Sequence, residues 1–190
     1  DLFRHLESNT KTAAILATNT SSLSVTSIAS AVRKPERVVG MHFFNPAHIM
    51  KLVEIVQGQN TSSETLRTAV ELARHFEKTP VLAKDTPGFI VNRIARPFYG
   101  EALRLLGENA ATHEQIDRIM RDIGGFPMGP FELMDLIGID VNFSVTQSMY
   151  DQYFGEPRFR PHPIQRRMVD SGLLGKKTGK GFYDYSDNRK

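Results

Sequence analysis

Apolar residues in this chain follow two different rules, and the rule changes near residue 84. Before that point they come in short unbroken runs, at residues 13–17, 38–42, 52–56 and 80–83. Runs of strand length without alternation predict strands buried on both faces, as in a largely parallel sheet covered by helices. Helical patterns separate the runs. One ends near Ser8 and Asn9, and one lies near Val25 to Val32. A third is opened by Thr61 and Glu64 at capping-box spacing and marked by Leu66, Ala69, Val70, Ala73 and Phe76. From Asp85 onward the period is helical throughout. Thr86 as N-cap and Pro87 in the first turn predict a helix striped by Ile90, Ile94, Phe98, Ala102 and Leu105. Thr112 and Gln115 form another capping box before Ile116, Ile119, Met120 and Ile123. Further helices are expected over residues 131–136, about 142–153 and 164–169, with an irregular stretch at 155–163 and a glycine- and lysine-rich loop at 172–181. The pattern gives an α/β region over 1–83 and an all-α region over 84–190, joined without a disordered linker.

Against this background two residues stand out. His42 ends one apolar run and Glu54 lies inside the next. Burying a carboxylate without a partner costs several kcal/mol or forces it to take a proton. The nearest partner in sequence is the imidazole of His42, and that pairing would make His42 a candidate general base held in one tautomer. The bland alternatives are a satisfied core histidine and an edge-strand carboxylate facing water. In open α/β sheets ligands sit outside the carboxyl ends of the strands. Two polar clusters fall at such ends, Thr18-Asn19-Thr20-Ser21-Ser22 after the first run and His42 with Asn45 after the second. In a parallel sheet both share one rim. Asn92 is a third candidate, off the Ile90–Ile94–Phe98 stripe in the early turns of a helix at the junction of the two regions; its alternative is a solvated helix residue. The loop Gly175-Lys176-Lys177-Thr178-Gly179-Lys180-Gly181 does not have Walker spacing. It remains either a flexible loop whose lysine reaches an anion or a solvated one.

Composition narrows the classes. The net charge of +3 is slight, and basic residues cluster only at Lys176, Lys177 and Lys180 and at the final Arg189 and Lys190. That calls for neither nucleic acid nor a membrane partner and fits a small acidic ligand such as a phosphorylated cofactor. There is no cysteine, which excludes disulfides, thiolate catalysis and Cys-ligated zinc. No apolar run approaches the ~20 residues of a membrane span, so the cytoplasm is the default location. The chain opens at Asp1 within what reads as the middle of an amphipathic helix, and further chain is expected upstream. No G-x-G-x-x-G follows a strand anywhere in the 190 residues.

Five motifs in order carry a resemblance. They are Asn19-Thr20-Ser21-Ser22, His42-Phe43-Phe44-Asn45-Pro46, Asp85-Thr86-Pro87-Gly88-Phe89-Ile90-Val91-Asn92-Arg93, Gly125-Phe126-Pro127-Met128-Gly129-Pro130-Phe131-Glu132-Leu133 and Gly175 to Tyr183. With them the chain resembles the 3-hydroxyacyl-CoA dehydrogenase family, and residues 135–143 look most like its bacterial members acting on 3-hydroxybutyryl-CoA or 3-hydroxyadipyl-CoA. The resemblance implies a Rossmann NAD-binding domain, here only its carboxy-terminal portion, followed by a helical domain that makes a homodimer. It implies NAD as cofactor and an acyl-CoA as substrate. It assigns His42 as the base taking the 3-hydroxyl proton and Glu54 as the carboxylate orienting it. Ser21 is placed at substrate and cofactor, Asn92 at substrate, and Asn45 and Lys177 at the cofactor. The family's first strand, glycine-rich loop and ribose-binding acid have no counterpart in these residues.

Overall fold

Two-residue alternation along the strands decides which side chains meet. The computed structural model describes residues 1–186, so the basic pair Arg189 and Lys190 lies outside the described residues. The chain divides into two units, Asp1–Val91 and Asn92–Lys190. In the first, helix α1 (Leu2–Asn9), strand β1 (Leu16–Thr18), helix α2 (Val25–Ala29), strands β2 (Val38–Phe43) and β3 (Leu52–Gln57), helix α3 (Ser63–His75) and strand β4 (Thr79–Lys84) follow in order. The sheet runs β1-β2-β3-β4, with β1–β2 and β3–β4 parallel and β2–β3 antiparallel.

Both sheet faces are covered, as unbroken apolar runs require. Val38 and Val56 pack with Leu16, Ala83 and Phe89 against Val25 and Ala29 of α2. Val39, Met41, Val53 and Ile55 point the other way, onto Ala69 and Ala73 of α3. Burying each such aliphatic side chain contributes roughly 1.5–3 kcal/mol. By the same alternation Gly40 and His42 fall on the α2 side with Val38, and Glu54 falls there with Val56. A Cβ on Gly40 would collide with Val56 and Val25, so a glycine lets the strands and α2 close.

Several local expectations shift. The run at 13–17 is a strand only from Leu16, because a turn at Lys11–Ala14 precedes it. Arg37 fixes that turn through its guanidinium, which donates to the carbonyls of Lys11, Thr12 and Ala14. The N-cap of α3 is Ser62, which accepts from Thr65 N. Thr61 instead donates from its hydroxyl to Val38 O. Phe76, expected on the buried stripe, is half exposed beyond the helix end.

The second unit is helical: α4 (Val91–Gly107), α5 (His113–Asp122), α6 (Pro130–Ile137), α7 (Ile139–Gln152) and α8 (Pro163–Asp170), where α4 starts from the last residue of the first unit. Its core is Tyr99, Ala102, Leu103, Ile116, Phe131, Met134 and Ile139. The Thr112–Gln115 capping box forms as expected. The stripe on α4 forms only in part: Ala102 is buried as expected, but Ile94 is 70% exposed and Arg96, Tyr99 and Leu103 share the buried face. The glycine- and lysine-rich loop is folded rather than free. Gly175 pairs with Lys180, and Asp135 accepts hydrogen bonds from the amides of Phe182 and Tyr183 and from the Tyr185 hydroxyl. A Cβ on Gly181 would overlap the Asp135 carboxylate, which is why a glycine stands there. No helix among the described residues is long and apolar enough to cross a membrane.

Candidate active site

The antiparallel step in the sheet builds the site. It sets His42 directly across from Glu54 in the β2–β3 register. His42 Nδ1 lies 2.7 Å from Glu54 Oε2, with His42 6% and Glu54 1% exposed. An ionised carboxylate only accepts, so Nδ1 carries the proton and Nε2 keeps its lone pair. A largely parallel sheet was the expectation. The one antiparallel neighbour is what brings these two side chains face to face.

The other carboxylate oxygen is held by main chain. Glu54 Oε1 accepts from the amides of Ile90 and Val91, both at 2.9 Å. Those amides are free to do so because the helix starts later than the sequence suggested. Thr86 and Pro87 do not open α4. They open a turn closed by Phe89 N donating to Thr86 O, and α4 begins at Val91. Gly88 and Phe89 both have positive φ, 76° and 47°. For a phenylalanine that conformation costs about 1–2 kcal/mol. It aims the Ile90 and Val91 amides at Glu54 and buries the Phe89 ring 5.8 Å from the imidazole centroid. Phe44 flanks the imidazole at 4.6 Å. The missed signal was the Pro87-Gly88 pair, which marks a turn as readily as a helix start.

These contacts set the charge. Burial pushes the Glu54 carboxyl up, but the His42 hydrogen bond and the Val91 and Ile90 amides together outweigh it and hold the group below its usual 4.5. Glu54 is therefore an anion at neutral pH, with two main-chain donors and one imidazole donor.

The β1–β2 pair is parallel, so the two polar clusters do share the rim at its carboxyl ends. Asn19 ties them together, accepting from Phe43 N at 2.8 Å through Oδ1. Thr20 Oγ1 accepts from the amides of Ser22 and Leu23 and shapes the loop that carries Ser21, which is partly buried. Asn45 is exposed, two residues past β2. Asp85, at the far end of β4, accepts from the Ser24 hydroxyl and the Val25 and Thr26 amides, anchoring α2 behind that loop. Burial raises its carboxyl, and those donors bring it below 3.8. Its role was not read from sequence. Asn92 and Lys177 belong to the second unit. Asn92 is the second residue of α4 and partly buried. The Lys177 ammonium is bound by the Asp140 carboxylate at 2.5 and 2.7 Å.

Residues 1–86 match the model of the 3-hydroxyacyl-CoA dehydrogenase NAD binding domain, and residues 88–185 match that of the 3-hydroxyacyl-CoA dehydrogenase C-terminal domain. The chain is 53% identical over 175 residues to the 3-hydroxyadipyl-CoA dehydrogenase of Escherichia coli (strain K12), covering 92% of this chain and 37% of that protein. It is 46% identical to the 3-hydroxybutyryl-CoA dehydrogenase of Clostridioides difficile, covering 98% of this chain and 66% of that protein. A solved 3-hydroxybutyryl-CoA dehydrogenase from Escherichia coli K12 superposes with a TM-score of 0.95 at 51% identity, over all of this chain and 40% of the other. The chain thus spans between about one third and two thirds of these relatives' length. With both domain models matched in order and the fold reproduced, the chain belongs to the 3-hydroxyacyl-CoA dehydrogenase family.

Proposed function

We propose that this chain is the catalytic-base portion of an NAD-dependent 3-hydroxyacyl-CoA dehydrogenase, oxidising a 3-hydroxyacyl-CoA to a 3-ketoacyl-CoA. One observation carries the reading: a buried imidazole at a sheet rim, its Nδ1 bound by a carboxylate that main-chain amides keep ionised. With Nδ1–H donating to Glu54, Nε2 takes the proton of the 3-hydroxyl while the C3–H bond breaks and the C3–O bond becomes a carbonyl. Glu54 keeps the imidazolium that forms from being an unpaired buried charge. Bound NAD would supply the acceptor for the hydride leaving C3. Phe44 and Phe89 limit water around the ring.

The rim has groups that fit the nicotinamide side of such a cofactor: the Ser21 hydroxyl, the exposed Asn45 amide, and the exposed apolar side chains of Leu23, Ile49 and Met50. It lacks a glycine-rich turn for a pyrophosphate. In this reading Ser21 and Asn45 hold the cofactor, Ser21 and Asn92 meet the substrate, and Lys177, here ion-paired with Asp140, is a cofactor-contacting lysine. The functional domains of this reading are residues 1–83 and 84–190, whereas the compact units of the fold divide after Val91. Names of the relatives support an acyl-CoA substrate with a 3-hydroxyl, such as the 3-hydroxybutyryl or 3-hydroxyadipyl thioester.

Formation of NADH from 3-hydroxybutyryl-CoA tests the reading. The 190-residue chain alone is expected to turn over weakly or not at all, and a protein with a glycine-rich strand–turn–helix before residue 1 is expected to turn over. No activity in the latter would sink the assignment. A second reading, a module that only self-associates, is favoured by the exposed Ile119, Ile123, Phe126, Leu136, Ile137 and Val141 of the second unit. A homodimer is expected in either case and is read by sedimentation; the NADH assay separates the two readings.

A further inference from the structure

Among the described residues two arginines are buried, Arg37 and Arg96, and only the first has a carboxylate beside it. Arg37, in the first unit, donates to three carbonyls and lies 3.5 Å from the Glu7 carboxylate. Arg96, in the second unit, is 5% exposed and has no carboxylate within ion-pair distance among the described residues. Its Nη1 donates to Asn142 O and Thr146 Oγ1, both at 3.0 Å, and its face stacks 4.8 Å over the Tyr99 ring. That leaves the Nε–Nη2 edge, the fork that takes a carboxylate side-on. Nε is fully buried with no hydrogen-bond partner, as is Arg37 Nε, so what separates the two arginines is the carboxylate beside Arg37.

Arg96 lines a narrow hollow with Thr146, Arg158, Arg160, His162 and Gln165, all of the second unit. Its interior has room for about one water-sized group. Among the described residues no carboxylate lines the hollow, and the nearby Glu156 is paired with Arg158. Arg160 is exposed and has no carboxylate within ion-pair distance among the described residues. His162 Nδ1 accepts from Ile164 N. The polar atoms around the guanidinium are otherwise neutral: Gln165 Nε2 donates to Asn142 Oδ1, and Asn142 Nδ2 is a second buried donor without a partner. Among the described residues the cluster thus has donors in excess and a cation with no carboxylate beside it.

We propose that the hollow at Arg96 is a binding site for a compact monovalent anion, a halide or the head of a small carboxylate, held by the Nε–Nη2 edge and drawn in by Arg160. The anion supplies the acceptor that Nε lacks and the charge that Arg37 finds in Glu7. Burial lowers the Arg96 guanidinium to about 10, against an opposing influence from Tyr99.

The test uses the whole chain at constant ionic strength. Chloride NMR line width is followed as protein is added, then formate and acetate are titrated as competitors. Saturable broadening is expected in the wild type and is lost in Arg96→Gln. Competition by formate assigns a carboxylate source. Broadening untouched by either carboxylate assigns a halide. Should Arg96→Gln fail to fold, Arg160→Gln, on the exposed rim, is expected to weaken chloride by roughly threefold to tenfold as a lost neighbouring charge. Its position also permits a bromide-soaked crystal, in which the anion should lie within hydrogen-bond distance of Arg96 Nε. No saturable anion effect in the wild type, or the same effect in the Arg96 and Arg160 variants, overturns the proposal.

Discussion

Glu54 in the first unit and Asp117 in the second are built to one plan and differ in one partner. Each buried carboxylate accepts two consecutive main-chain amides, Ile90 and Val91 for Glu54, Phe131 and Glu132 for Asp117. Each has a third donor from a ring, the His42 imidazole at 2.7 Å or the Tyr183 hydroxyl at 2.8 Å. Even the glycines correspond in purpose. Gly88 permits the turn that presents one pair of amides, and a Cβ on Gly129 would overlap the Asp117 carboxylate before the other pair. The difference is chemical. An imidazole can gain a proton near neutral pH, and a phenol whose proton is already committed cannot. Burial and its carboxylate neighbours push the Tyr183 hydroxyl far above its usual 10. In the proposed function the same carboxylate staple would support proton transfer in one unit, while in the other it fastens the segment that carries Tyr183. Buried carboxylates alone do not mark an active site. Their third partner does.

The sharpest way to break this comparison is to remove the imidazole. In a protein competent for NADH formation, His42→Ala should lower kcat by about 10²–10⁴ and change KM little, as loss of a general base does. An unchanged kcat would reduce His42–Glu54 to a structural staple like Asp117–Tyr183. Glu54→Gln is the next step down. The amide still accepts from Ile90 and Val91, but its NH₂ now faces Nδ1. The ring must turn Nδ1 into the acceptor and protonate Nε2, the wrong tautomer for a base. A fall in kcat of roughly 10² is expected, the lower end of what a general base contributes. The pH–rate profile should also lose its dependence on a charged neighbour, and a variant with wild-type kcat would mean that the tautomer is set elsewhere.

Much of this was legible in the sequence, and the misreadings share a cause. The unbroken apolar runs gave strands buried on both faces, and a carboxylate inside one of them pointed to a partner within twelve residues. Those inferences rest on local desolvation, which the chain displays openly. What the pattern left open was the direction of one strand pair, and what it misplaced was the start of α4. Nothing in Val38 to Val56 says that β2 and β3 run antiparallel, yet that pairing creates the His42–Glu54 register. Thr86-Pro87-Gly88 satisfies the rules for a helix start and for a turn alike, and the choice was made by Glu54, a distant carboxylate needing two amides. Likewise Arg96 broke the α4 stripe, because a helical period shows apolar positions and is blind to an arginine buried among hydroxyls and carbonyls.

On the structural side of the comparison, Tyr183→Phe should leave kcat unchanged and lower stability by about 1–2 kcal/mol, the cost of a buried acceptor losing one of three donors. Denaturant unfolding reads it. A large loss of activity at unchanged stability would place Tyr183 in the chemistry and collapse the distinction between the two staples.

The smallest expected effect is the most discriminating, because the two carboxylates should titrate in opposite senses. At Glu54 burial raises the carboxyl, but its three donors win and its pKa lies below 4.5. At Asp117 burial is the largest influence and wins over the Phe131 amide, the Tyr183 hydroxyl and the Glu132 amide, so its pKa lies above 3.8. The consequences for stability follow by linkage. Glu54 binds protons less readily folded than unfolded. Its contribution is fully present above 4.5 and is lost as pH falls through the lower folded value. Asp117 binds them more readily folded, so its contribution is present below 3.8 and is lost as pH rises through the higher folded value. Carboxyl-carbon NMR titration should therefore place Glu54 below and Asp117 above their respective unfolded values. Tyr183→Phe should move Asp117 further up while leaving Glu54 where it is. Two carboxyls titrating alike would mean that the third partner, imidazole or phenol, does not decide what a buried carboxylate is for.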